Sequence, residues 1–443
     1  MNMFNARINN SRMIKAVCFG SLLIILVKFV NYYLYDDNTY TRVMMHELYN
    51  QRNIDVCISG ASSAYRHFNP GIWDTVLQSD TFNVGSSAQR PESSYYVLKE
   101  IFNQYKPKYV IYSISAFMFT QYSRWDSPTK DYILFDYMPV SLNKVIYGLR
   151  VFKGNLVNGF IEFSRNRNND LMDTLTKVKK VKDKNTYKSF SYQVYDDSDE
   201  ILHPKGYVSA GRHLVIGEVG KLNTVQFRDY ELRSVDVEYM LKIADLCRDN
   251  DCELIIVVPP MHYGSMANYY DYQEVVDFNR NIADSIGAPI FDFSLAKHDF
   301  FSMKDSYYYD WAHMSGDGAD FFSTVCSEFI KRYISGEEIN NDDYFYKSYQ
   351  ELLEDTPWIY NAWIVKDENG YQAFCNHGNG VTPLYSFWGS EDNGDTWELI
   401  EDYSSSDTVS FDDVDENYNM LMVKAKDVNS KSEYDQLYRM TLE

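Results

Sequence analysis

The sequence predicts an α/β protein, a three-layer sandwich around a parallel five-stranded flavodoxin-like sheet, with one apolar helix before it and a small all-β unit after it. Three observations predict it. Short apolar runs alternate with helical periodicity between residues 54 and 334, one N-terminal stretch is apolar enough for a bilayer, and helical periodicity stops after residue 356. The 443 residues suffice for two domains with accessory segments. Hydrophobic residues make up 45%, with 39 Tyr and 26 Phe, which is too rich in core formers for a disordered chain. Lys and Arg total 42 against 63 Asp and Glu, and the resulting charge of −21 argues against nucleic acid as a partner.

From Ala16 to Leu34 the chain reads AVCFGSLLIILVKFVNYYL, about the length a bilayer core requires of a helix. Lys28 interrupts it near one end, where its stem reaches the interface, and Tyr32, Tyr33 and Tyr35 supply an aromatic belt. Arg7, Arg12 and Lys15 precede the span and Asp36 and Asp37 follow it, so the positive-inside rule keeps the N-terminus cytoplasmic and the rest outside. The expectation is a single-pass membrane protein. A cleaved signal peptide with an apolar region from Ala16 to Val27 is the competing reading, although no small-x-small cleavage site follows it, and a buried helix of a soluble protein is a third.

Buried-type strands are predicted at Ile54–Ser59, Thr81–Val84, Tyr109–Ile114, Leu254–Val258 and Pro289–Phe293. Between them, helices are predicted at Pro70–Gln78, Glu92–Gln104, Val235–Asp249, Tyr272–Ile286 and Gly316–Ile334. Residues 117–233 break the alternation as an insertion at the carboxyl edge of the sheet, where open α/β folds bind ligands, so a lid or substrate wall is expected there. Its basic run TKVKKVKDK, from Thr176 to Lys184, reads as a solvated face or a contact to an anionic polymer. An acidic linker is expected at 336–356, after which IYNAWIV, YQAFCNH, PLYSFWGS, TWELI, TVSFDD and NMLMVKAKD alternate between turns, as in a β-sandwich over 357–443.

The six cysteines lack CxxC or Cys/His metal spacing; Cys247 and Cys252 are the one pair placed to bridge, at a helix-to-strand handover. No metal is expected, since His46, His67, His203, His213, His298 and His377 have no ligand spacing. Neither GxxxxGKS/T nor a strand-linked GxGxxG occurs, and no cofactor is expected.

Three motifs carry chemistry. In Ile58-Ser59-Gly60-Ala61-Ser62-Ser63-Ala64-Tyr65-Arg66 a serine follows the first strand at a glycine turn, where amides of a helix start can stabilise an oxyanion. In Asp310-Trp311-Ala312-His313 an acid three residues before a histidine can fix its tautomer while the other ring nitrogen serves as a base. In Phe82-Asn83-Val84-Gly85-Ser86-Ser87-Ala88-Gln89, Gly85 allows close backbone approach and offers a second oxyanion donor. In this topology all three meet at one sheet edge. Each alone also reads as an ordinary helix cap, surface pair or strand-to-helix turn.

GASSAYRHFNP after an IDVCIS strand, then FNVGSSAQ, KPKYVIYSIS and DWAHMS, together resemble the SGNH (GDSL-like) hydrolase superfamily over residues 36–335. More narrowly they are similar to its membrane-anchored bacterial surface branch, which includes the D-alanyl transfer protein of teichoic acid synthesis and the alginate O-acetylation proteins. The resemblance implies Ser62, rather than Ser63, as nucleophile, His313 as base, Asp310 as its orienter, and the amides of Ser62 and Gly85 as oxyanion hole. It also implies an oxyanion Asn after the third strand, where this chain reads SISAFMF, so Gln89 or another group would substitute. His262, after the fourth strand in Pro259-Pro260-Met261-His262, and Arg66 are further candidates for substrate contact, beside surface or packing roles. Residues 357–443, with Tyr385, Trp388, Trp397, Tyr403 and Tyr418, resemble a three-Tyr Ig-like module whose aromatics serve as core or as a glycan-stacking face.

The function these readings imply is a membrane-anchored, extracytoplasmic serine esterase or O-acyltransferase acting on acetyl or D-alanyl esters of cell-surface glycan or teichoic acid. By resemblance, a multi-spanning membrane O-acyltransferase would be its partner. The alternative is a non-catalytic surface glycan-binding or assembly protein that keeps the fold.

Overall fold

In the computed structural model the predicted runs form the expected sheet. The structure describes residues 10–34, 40–121, 128–152, 199–211, 230–267, 271–310 and 312–442, with isolated residues between 155 and 193 and Phe227; the basic run at 176–184 and Trp311 lie outside the described residues. Three strands come first, β1 (Val56–Gly60), β2 (Thr81–Asn83) and β3 (Tyr109–Ser113). The insertion carries a small antiparallel sheet, β4 (Tyr192–Gln193), β5 (Glu200–Leu202) and β6 (Val208–Ala210). Then come β7 (Glu253–Val258) and β8 (Ile290–Asp292). The main sheet runs β2-β1-β3-β7-β8, parallel throughout, in register Val56↔Thr81, Val56↔Tyr109, Tyr109↔Glu253 and Ile256↔Ile290.

These strands are buried along nearly their whole length because helices cover both faces. Alternate residues serve the two cores. Cys57, Val110, Tyr112, Leu254 and Ile256 face one side, against Val97 and Ile101 of the helix Pro91–Gln104 and Tyr239, Met240 and Ile243 of the helix Ser234–Asp249. Ile58, Ile111 and Ile255 face the other, against Trp73 of the helix Pro70–Leu77 and Phe322 and Phe329 of the helix Gly316–Ile334. The helices in chain order are α1 (Asn10–Leu34), α2 (Tyr40–Leu48), α3 (Ser62–His67), α4 (Pro70–Leu77), α5 (Pro91–Gln104), α6 (Pro128–Phe135), α7 (Leu142–Val151), α8 (Ser234–Asp249), α9 (Tyr263–Ala267), α10 (Tyr272–Ile286), α11 (Gly316–Ile334) and α12 (Tyr349–Glu354). Burying each large apolar side chain contributes about 1.5–3 kcal/mol.

The first helix, α1, contains Met13–Asn31, a stretch of mean hydropathy 2.2 and long enough to cross a membrane. Phe19, Leu22 and Ile25 on it are exposed to solvent, where a soluble core helix would bury them. In the insertion, α6 and α7 pack on the sheet's helical layer through Phe135 and Tyr147. The thiols of Cys247 and Cys252 touch at the α8-to-β7 turn without a disulfide.

Residues 336–356, expected as an acidic linker, carry buried residues of their own. The sequence Tyr344-Phe345-Tyr346 tucks in: Phe345 lies against Phe293 at 5.3 Å between ring centroids, and Tyr346 and Leu352 share a core with Tyr263, Tyr272 and Tyr360. Three buried apolar anchors outweigh the solvation of the carboxylates around them. Beyond, β9 (Ile359–Lys366), β10 (Gly370–His377), β11 (Pro383–Ser390), β12 (Glu398–Ser404), β13 (Thr408–Ser410), β14 (Met420–Asp427) and β15 (Gln436–Thr441) form two antiparallel sheets, β13-β10-β9 and β12-β11-β14-β15. Ile359, Ala362, Phe387, Leu421 and Val423 fill the space between them.

Candidate active site

The nucleophile candidate is set by how β1 ends. Gly60 has φ +147°, and a Cβ there would lie 2.5 Å from the Ser113 carbonyl of β3, so only glycine lets the chain leave the sheet here. Ala61 then caps α3 and Ser62 is its first residue. Ser63 turns back to the sheet, its hydroxyl 2.9 Å from that of Ser113, while Ser62 points outward. The base arrives from a tight loop between β8 and α11, in which the Tyr309 amide donates to the His313 carbonyl at 2.9 Å. Ser315 caps α11 by accepting from the Gly318 amide and donates to the Ser306 carbonyl at 2.9 Å.

Asp310, His313 and Ser62 form a continuous hydrogen-bonded chain. His313 Nε2 lies 2.8 Å from Ser62 Oγ, and its Nδ1 lies 2.9 and 3.0 Å from the two carboxylate oxygens of Asp310. Asp310 Oδ1 also accepts from the amides of Ala312 (2.8 Å) and His313 (2.9 Å). Burial pushes the Asp310 carboxyl up, but the hydrogen bonds from the His313 ring and from these amides outweigh it and hold the group below the usual carboxylate range. A carboxylate that stays ionised holds the Nδ1–H tautomer, which leaves Nε2 free to take the Ser62 proton.

The oxyanion side differs from expectation. The Gly85 amide is already given to Asn83 Oδ1 at 2.9 Å, so it does not point into an oxyanion hole. The reason for a glycine is steric: a Cβ at Gly85 would stand 2.7 Å from the Ala64 Cβ. Asn83, which sequence reasoning passed over, also donates to the carbonyls of Ala64 (2.8 Å) and Phe68 (3.2 Å) and so ties β2 to the end of α3. Two other amides in this region, Ser62 at the helix start and Ala88 on the loop after Gly85, have no acceptor among the described residues. Ala88 holds φ +51°, an unfavourable conformation for a residue with a Cβ.

Gln89, expected as a substitute donor, is buried, with its amide nitrogen between Ser59 Oγ (3.2 Å) and Ser94 Oγ (2.9 Å). Both of its N–H groups are thereby used inside the core. His262 is buried too: its Nε2 meets Asp305 at 2.9 Å and its Nδ1 accepts from the Gly264 amide at 3.0 Å. Together with Trp358, Tyr360 and Gln436 it lines a crevice between the α/β unit and the C-terminal sheets. Arg66 is buried and paired with Glu200 of the insertion, with the rings of Tyr65 and Tyr309 5.6 and 5.4 Å from its guanidinium. It joins α3 to β5 and to the loop that carries Asp310. Lys130 of α6 donates to Ser87 Oγ at 2.9 Å, so two parts of the insertion touch the elements that carry the site. The signal that could have found these internal roles is length: Gln89 and Arg66 follow their motifs within the reach of one helical turn or loop, where a long polar side chain meets buried partners first.

With this geometry in view, comparisons with known proteins add a likeness of general type. No family model matches the chain, and no curated protein matches it. Among solved structures, a GDSL-like lipase from Bacteroides thetaiotaomicron is similar over 68% of this chain and 100% of its own, at 12% identity and a TM-score of 0.29. A lipase/acylhydrolase from Enterococcus faecalis is similar over 63% of this chain and 97% of its own, at 10% identity and a TM-score of 0.26. These likenesses extend over about two-thirds of the chain.

Proposed function

We propose that the protein is a membrane-anchored serine esterase or O-acyltransferase that works outside the cytoplasm on acyl esters of cell-envelope polysaccharide or teichoic acid. The observation that carries this reading is the 2.8 Å contact between Ser62 Oγ and His313 Nε2, with Asp310 on the opposite ring nitrogen. In the first half-reaction Ser62 Oγ attacks the acyl carbonyl carbon as its proton passes to His313 Nε2. The tetrahedral oxyanion rests on the Ser62 amide at the start of α3. Collapse breaks the ester C–O bond, the leaving alcohol takes the proton from His313, and the acyl group stays on Ser62. Water or a sugar hydroxyl then attacks, with His313 again as base, so the acceptor decides between hydrolysis and transfer. Acetyl is the favoured acyl group and D-alanyl the second, and a multi-spanning O-acyltransferase delivering the acyl group across the membrane is the proposed partner.

Incubation of the full-length protein with an activated acetyl ester, followed by peptide mass spectrometry, tests the chemistry. An acetyl group on Ser62 that is absent from Ser62→Ala supports the proposal; acetylation spread over surface residues and equal in both proteins contradicts it.

One observation favours a second reading, a non-catalytic glycan-binding or assembly protein. Gly85 and Gln89, two of the three groups looked to for oxyanion stabilisation, are both committed internally. Glycan binding that survives Ser62→Ala and vanishes on removal of residues 357–443 would favour that reading.

A further inference from the structure

We propose that His67 is a positioning residue of the triad, an uncharged imidazole that holds the backbone of His313 so that Nε2 meets Ser62; this rests on the reading of Ser62 as nucleophile. His67 is the last residue of α3, five positions after Ser62, and is 2% exposed. Its Nε2 accepts the amide proton of Met314, the residue after His313, at 3.1 Å. The His67 and His313 rings meet edge to face, 6.4 Å between centroids at 76°. Behind it, the His67 carbonyl accepts from Ser323 Oγ of α11 at 3.1 Å, and that hydroxyl accepts from the Asn69 amide at 2.7 Å. One residue thus links the nucleophile's helix, the loop that carries the base and the helix that follows it.

Apolar packing could fill the same volume, but it could not do the same work. A nitrogen that accepts from Met314 carries no proton, so His67 is the Nδ1–H tautomer and neutral. Burial first, and then the nearby His313, pushes its pKa down to about 3. Protonation would set an N–H against the Met314 amide. It would also add a positive charge beside the imidazolium that forms on His313 during the reaction. A neutral acceptor avoids both.

The test is the rate at which a fluorophosphonate labels Ser62 in the full-length, detergent-solubilised protein, followed against pH for wild type, His67→Leu and His67→Gln. Glutamine can offer its carbonyl oxygen to the Met314 amide and leucine cannot. His67→Leu is expected to label at least about tenfold more slowly, with a displaced pH profile, and His67→Gln within about threefold of wild type. Equal rates in wild type and His67→Leu, or equal losses in the two variants, would overturn the proposal. Should His67→Leu fail to fold, nitrogen chemical shifts of the wild-type histidines decide: an Nδ1–H tautomer that persists to about pH 5 supports it, and an Nε2–H tautomer or titration near the ordinary histidine range overturns it. An unlabelled wild type would remove the nucleophile reading itself, and this inference with it, a result that appears in the wild-type arm alone.

Discussion

Ser62 and Ser63 are neighbours of one type, and the turn from β1 into α3 gives them opposite tasks: Ser63 bonds to Ser113 while Ser62 meets His313. That turn depends on Gly60. In Gly60→Ala the new Cβ would press on the Ser113 carbonyl, a backbone atom of a central strand with little freedom to yield. We expect a loss of about 2 kcal/mol or more in thermal or denaturant unfolding, together with loss of fluorophosphonate labelling. Asp310→Asn replaces an acceptor by a group that can present N–H to the His313 ring and select the other tautomer. The labelling rate is expected to fall by about a thousandfold with little change in Tm; a loss under about tenfold would mean that Asp310 does not set the tautomer. Asp310 and His313 were legible in sequence because their pairing is local, three residues apart within one loop. Gly85, Gln89, Arg66 and His262 were not, because their partners Asn83, Ser59, Glu200 and Asp305 are chosen by tertiary packing, and in three of the four cases lie at least 30 residues away along the chain.

At the scale of elements, α3 is only six residues long and keeps its place through tethers at its C-terminal end, Asn83 to the carbonyls of Ala64 and Phe68 and His67 to Met314. The His67 tether makes the assembly sensitive to acid. Its folded pKa of about 3 lies below the ordinary histidine value, so below about pH 6.5 the unfolded chain binds a proton that the folded one refuses. The stabilising contribution of the neutral ring is therefore complete above that pH. It is lost as pH falls toward 3, with a slope approaching about 1.4 kcal/mol per pH unit. Denaturant unfolding of wild type and His67→Gln between about pH 7 and 4 should show the two stabilities converging as pH falls; parallel curves would mean that His67 binds its proton equally well in the folded and unfolded chain. The main-sheet strands and the helices flanking them were legible because most of the strands are short runs of apolar residues and each helix is periodic on one face. In the acidic segment 336–356 the buried anchors are not legible, because composition averages over position: its carboxylates face water while Phe345, Tyr346 and Leu352 are buried.

For the whole molecule, α1 and the C-terminal sheets set the context of the site. An uncleaved anchor predicts that the full chain stays in the membrane fraction after alkaline carbonate extraction, with Met13–Asn31 present in the mature protein by mass spectrometry. A soluble product that begins after residue 31 would establish a signal peptide instead. The C-terminal sheets share buried contacts with the α/β unit: Trp358 packs on His298 at 4.9 Å and Tyr360 joins the core of Tyr263 and Tyr272. Truncation after residue 356 exposes those rings and should lower Tm by more than about 4 °C, so loss of glycan binding in the truncated chain is informative only beside its melting curve. The central claim is that Ser62 is an activated nucleophile, and fluorophosphonate labelling of the full-length protein, compared with Ser62→Ala, Ser63→Ala and His313→Ala, tests it most directly. The account predicts labelling that survives Ser63→Ala and disappears in the other two. A folded wild type that takes up no label, or label lost with Ser63→Ala and kept with Ser62→Ala, would contradict it.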